Sequence, residues 1–130
     1  MKLARTLAIL PFLAASDLTG KSGHFVTVSA AGAVDLPANA AQAPFGLALT
    51  EAPAGEPVSV ALSRGGLAGT VRVKLAGPVP AIGALLALQA GGRVIADPGT
   101  GDRVLVAQAV ETGVTDELIE AVLIAPLTLS

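Results

Sequence analysis

From residue 24 onward, apolar and polar side chains alternate along the chain. Phe25, Thr27 and Ser29 interleave with Val26, Val28 and Ala30, a period of two that sends successive side chains to opposite faces of a strand. The clearest case is residues 70–75, where Val71, Val73 and Leu75 fall on one face and Arg72 and Lys74 on the other. That spacing predicts a strand with one wet face. Val58, Val60 and Leu62 repeat it, with Ser59 and Ala61 between them. Residues 104–107 and 118–124 are more continuously apolar and read as buried strands. Turn signals separate these runs at short intervals: Ala31-Gly32, Pro53-Ala54-Gly55, Gly65-Gly66, Gly91-Gly92, Asp97-Pro98-Gly99 and Thr112-Gly113. Glycine supplies positive φ there and proline fixes it near −65°.

Helix has little support. Residues 81–90 are rich in Ala and Leu, but Gly83 interrupts them and Pro80 and Gly91 close them off. Asp116-Glu117 stand where a helix would start, yet Val122 and Ile124 after them suit a strand. The expectation is an all-β domain over residues 23–130, a compact small β-barrel or sandwich. An offset of sixty lays Gly32 over Gly92, Val34 over Val94 and Glu51 over Glu111, which suggests two related β-motifs packed together.

Residues 1–22 read differently. Lys2 and Arg5 precede an apolar run over residues 7–15, and Ser16 and Asp17 follow it. A basic start, a short apolar middle and small residues describe a secretory signal. The run is too short to span a bilayer, which needs ~20 apolar residues. The same residues describe an apolar arm that docks on a partner or pairs as an edge strand. Pro11 has no N–H to donate and would interrupt a helix or central strand. The arm's candidate contact residues are Leu7, Ile9, Leu10, Phe12 and Leu13.

Composition narrows the chemistry. The 130 residues are 52% hydrophobic, 14% charged and 2% aromatic, with no Cys, one His and a net charge of −2. An average soluble chain carries about 25% charged residues, so this surface suits a protein covered by partners. Without Cys there is no disulfide framework, zinc finger or thiol nucleophile. The charge gives no reason to expect nucleic acid, and the scarcity of aromatics removes the stacking platforms of single-strand binders.

The motifs point to structure rather than catalysis. Gly20-Lys21-Ser22 matches the end of a phosphate-binding loop, but Ala15 stands where the first glycine belongs and a strand pattern follows where a helix is needed. Glycines in residues 65–69 lack a strand–loop–helix setting. His24 has no partner ligands in the sequence around it. Residues 97–102 lack the alternating ligands and closing Glu of a calcium loop. No serine sits in a Gly-x-Ser-x-Gly elbow. The chain is expected to be no enzyme, with no cofactor, metal, small-molecule substrate, nucleic acid or membrane among its partners.

The order of these signatures resembles small bacteriophage capsid decoration (cement) proteins, a group that includes uncharacterised phage proteins labelled as recombinases. The similarity runs through residues 24–32 with their Ala-Gly turn, the Gly-containing run of residues 44–52, and the turn and valine strand of residues 54–62. Gly92-Arg93-Val94, residues 104–109 and Glu111 repeat it. It covers roughly residues 23–125 by strand pattern. The longer, more apolar N-terminus departs from it. A recombinase needs a nucleotide loop and a basic DNA path, and neither is present in the sequence.

The resemblance implies a β-tulip-like domain with an extended N-terminal arm, assembled as a homotrimer. It implies binding to the outer surface of the expanded shell, where the trimer clamps neighbouring major capsid protein subunits. Localisation in the virion follows from it. The alternative is a secreted or periplasmic β-domain that binds a ligand or surface after its signal is cleaved.

Overall fold

The computed structural model describes residues 8–65 and 69–130. Among the described residues the chain is all-β apart from one 3-10 turn, as the alternation requires. Ten strands follow in order: β1 Ile9–Leu13, β2 Phe25–Val28, β3 Val34–Asp35, β4 Gly46–Ala48, β5 Pro57–Leu62, β6 Val71–Lys74, β7 Leu85–Leu88, β8 Val94–Ala96, β9 Arg103–Ala109 and β10 Leu118–Leu129. The 3-10 turn is Ala90–Gly92, between β7 and β8. The Ala/Leu-rich stretch before it is strand because Gly83, at φ +88, turns the chain directly into β7.

Two antiparallel five-stranded sheets result, ordered β1-β5-β4-β2-β3 and β6-β10-β9-β7-β8. The two orders are the same topology used twice. The register repeats as well. Thr27↔Asp35 and Val28↔Val34 in the first sheet become Ala87↔Ile95 and Leu88↔Val94 in the second, a shift of 60. Leu13↔Pro57 becomes Lys74↔Leu118, and Ala48↔Val60 becomes Ala109↔Ala121, a shift of 61. Each sheet curls until its outer strands meet in a parallel bridge, Ala14↔Val34 in the first and Leu75↔Val94 in the second. The backbone bonds at these closures match: Ala15 N–H donates to Val34 C=O at 2.8 Å, and Ala76 N–H to Val94 C=O at 2.7 Å. The two related motifs expected from the sequence are therefore two curled half-barrels.

Turns repeat with the strands. Gly32 and Gly92 both hold φ near +80 to +89 in the equivalent hairpins. Gly55 (φ +84) is matched by Asp116 (φ +70), the one non-glycine residue with positive φ among the described residues. Asp tolerates this region better than most residues, and its carboxylate accepts a hydrogen bond from Arg93 at 2.8 Å.

The halves share their packing unequally. One core gathers Ala14, Leu18, Val26, Val34, Ala48, Val58 and Val60 inside the first sheet. The other fills the second sheet with Val73, Leu75, Leu86, Leu88 and Ile119, and also takes in Phe25 and Leu47 from the first. Phe25 and Leu47 are fully buried. Each such side chain contributes about 1.5–3 kcal/mol of hydrophobic stabilisation, so these two residues fasten one half to the other.

Residues 8–22, expected as an arm, run through the first half from residue 8 on. β1 pairs along its length with β5, from Ile9↔Ala61 to Leu13↔Pro57. Ala14 and Leu18 are buried just beyond it.

Candidate interaction surface

Strand alternation sorts the expected arm residues into two sets. Ile9 and Leu13 point outward, 40% and 55% exposed, with Pro11 exposed between them. Leu10 and Phe12 fall on the opposite face and are half-buried. The Phe12 ring meets Phe45 edge to face, with centroids 5.1 Å apart, and packs on the first core. Leu7 lies outside the described residues. The outward set continues across the ladder to exposed Pro57, opposite Leu13. Pro11 is tolerated because β1 is an edge strand.

A second apolar surface lies on the other half. Ile82, Leu85 and Val110 are 71%, 38% and 38% exposed. Ile82 and Leu85 fall in the Ala/Leu-rich residues 81–90, which carry no period-two alternation. The sixty-residue offset is the signal that finds Leu85, because it falls over the buried Phe25.

Between the halves is a joint built on backbone contact. Lys74 N–H donates to Gly23 C=O at 2.9 Å, and Gly91 N–H donates to Pro37 C=O at 2.9 Å. A Cβ on Gly23 would stand 2.5 Å from Leu118 Cδ2. A Cβ on Gly92 would fall on the Phe25 carbonyl oxygen. Both glycines also have positive φ, so no other residue fits either place without strain. His24 is buried in this joint. Its Nδ1 lies 3.0 Å from Gly91 O, and a carbonyl only accepts, so Nδ1 carries the proton. Burial holds the His24 pKa below its ordinary value, the Gly91 bond opposes that, and the nearby cations Lys21, Arg93 and Lys74 lower it further.

The joint leaves a cleft of about 250 Å³, lined by Ser22, Gly23, Ala48, Leu49, Arg72 and Leu118. Among the described residues Arg72 is the only charged group lining it and Ser22 the only hydroxyl, and they form no acid–base or nucleophile pair. Among the described residues no group of three or more His, Asp or Glu side chains is placed to hold a metal ion.

The sequence motifs resolve into turns. Gly20-Lys21-Ser22 lie in the turns before β2, where Gly20 N–H donates to Glu51 Oε2 at 3.1 Å, and the segment runs into strand. Asp97 Oδ1 accepts from Gly99 N–H at 3.0 Å and pairs with Arg103. These contacts, Gly99 foremost, hold its carboxyl below the usual carboxylate range. No helix among the described residues is long and apolar enough to cross a membrane.

The fold thus defines an internally duplicated all-β protein with exposed apolar side chains on each half, Ile9, Leu13 and Val28 on the first and Ile82, Leu85, Val110, Val114 and Leu127 among those on the second. Comparison with protein-family models finds no match, and a search of curated proteins finds no significant one.

Proposed function

We propose that this chain is a structural virion protein that binds the outside of an expanded phage capsid and braces contacts between major capsid subunits, acting as a homotrimer. The observation that carries this reading is the outward apolar row Ile9, Pro11 and Leu13 with Pro57, held on a rigid sheet rather than collapsed into the core. Exposed apolar patches on small soluble domains mark interaction sites. The low charge of the chain fits a surface that other subunits cover. A ligand that binds only the expanded lattice stabilises it by RT ln(1 + [L]/Kd), about 2.7 kcal/mol per site at a hundredfold excess over Kd, and trimerisation adds avidity.

The second reading is a secreted β-domain cleaved near Ala15. Cleavage there would remove the whole of β1, with its ladder to β5 and the Phe12–Phe45 contact.

The test is cosedimentation of the purified chain with expanded and unexpanded shells assembled from a phage major capsid protein of the same genome. The chain is expected to pellet with expanded shells only. Ile9→Glu, at an exposed position, should weaken that binding at least tenfold while leaving the circular dichroism spectrum unchanged. Equal binding by the variant, or a mature product lacking residues 1–15 by intact mass, would overturn the reading.

A further inference from the structure

The two halves have the same fold but meet in one direction only. The first half presents Gly23, Phe25 and Leu47. The second half receives them on β6, on the 3-10 turn of residues 90–92 and at Leu118. The repeat assigns each of these places a counterpart on the opposite half, and the counterparts are uncovered. On the second half, the equivalents of the presenting residues are Gly83, Leu85 and Gln108, flanked by Ile82 and Val110, and all are exposed. On the first half, the equivalents of the receiving residues are Pro11 and Leu13 on β1, Ala31 and Gly32 in the hairpin, and Pro57, again all exposed.

We propose that a second copy of this chain covers these surfaces. The presenting face of one chain's second half seats on the receiving face of the next chain's first half, so the internal joint is repeated between chains. The glycines support this directly. At the internal joint Gly23 and Gly92 let backbone approach backbone. Their counterparts Gly83 and Gly32 are also glycines, and a Cβ there would meet, respectively, only Gln108 Nε2 at 4.0 Å and nothing within 4 Å. The backbone is bare at both counterparts, in the places where the internal joint needs it bare. By the repeat, the exposed Ile82, Leu85 and Val110 of one copy would meet the exposed Pro11, Leu13 and Pro57 of the next. Gln108 in place of Leu47 makes the outer joint more polar than the inner one, as suits a contact that must stay soluble before it forms.

A head-to-tail contact of this kind closes into a ring when its rotation allows. In the proposed trimer, six half-barrels would alternate inner and outer joints around the axis. The joint draws on the row that carries the capsid reading: Pro11, Leu13 and Pro57 pass into the contact between copies, and exposed Ile9, outside the joint, is left for the shell; the ring number, three, also rests on that reading.

The chain has no cysteine, which makes crosslinking clean. Leu13→Cys and Ile82→Cys proteins are prepared singly, mixed, and treated with a short thiol-specific crosslinker. A 13–82 product should dominate, with little 82–82 or 13–13 product. Sedimentation of the wild-type chain should give about three times its 12.7 kDa mass. Leu85→Glu should reduce that to the single-chain mass with an unchanged circular dichroism spectrum. A wild-type chain that stays monomeric without a 13–82 product, or one that gives mainly 82–82 product, would overturn the joint. A head-to-tail oligomer that ignores expanded shells would overturn the capsid reading and support the joint. A monomer that binds shells through Leu13 would overturn the joint alone.

Discussion

Gly32 and Gly92 occupy the same place in two copies of one hairpin, and both have positive φ. Their surroundings differ. Gly92 sits against the Phe25 backbone, and Gly32 faces open space. An alanine at either position meets the left-handed backbone penalty of about 1–2 kcal/mol. At Gly92 the new methyl also collides with backbone that cannot move aside. Gly92→Ala is expected to destabilise the chain by about 2–5 kcal/mol, adding overpacking to the φ penalty. Gly32→Ala should lose only the ~1–2 kcal/mol of the φ term. Urea denaturation of the two variants, done at a concentration where the chain is monomeric, measures the difference. Equal losses would mean that the inner joint tolerates a methyl group.

At the scale of elements, β1 is the informative strand. Its outward row, Ile9 and Leu13, stays exposed, and its inward row, Leu10 and Phe12, is half-buried, with Phe12 packed on the first core. Removing residues 1–16 would strip the partner from β5 along five residue pairs and would also delete the Ala14↔Val34 bridge that closes the first sheet. An unpaired edge strand is a template for aggregation. The shortened chain should melt at a lower temperature and form larger species by light scattering. A truncated chain as stable and as monodisperse as the full one would show that β1 adds nothing to the half-barrel. Single outward substitutions, not deletions, are therefore the way to separate binding from folding at this strand.

At the scale of the whole molecule, the two halves are coupled through His24. Its folded pKa is depressed below the ordinary 6.5, chiefly by burial. The neutral form is favoured in the joint, so the unfolded chain binds more protons once pH falls below about 6.5. The slope ∂ΔG/∂pH is then positive: His24's contribution is intact above 6.5 and declines as pH falls toward the folded pKa. Denaturation midpoints measured from pH 7.5 to 5 should fall on the acid side, and His24→Gln should flatten that fall. A wild-type profile with no slope between pH 6.5 and 5 would contradict the burial of a neutral imidazole. The counterpart of His24 in the second half is Ala84, so acid should loosen the inner joint without acting on a contact made by the second half.

By itself the sequence determined the local structure. Period-two alternation at Val71, Val73 and Leu75, with glycine and proline at the turns, leaves little but strand, because each choice is settled by neighbours one or two residues away. The repeat was also visible in Gly32, Gly92, Val34 and Val94, since these residues meet the same backbone demands in both copies. The tertiary structure alone decided which copy of a matching position is buried. Phe25 is sealed and Leu85 is open, though both are apolar residues opening equivalent strands. It also decided that Leu10 and Phe12 turn inward while Ile9 and Leu13 do not. Burial depends on what the rest of the chain brings alongside a residue, and a one-dimensional pattern of hydrophobicity carries no record of that neighbour.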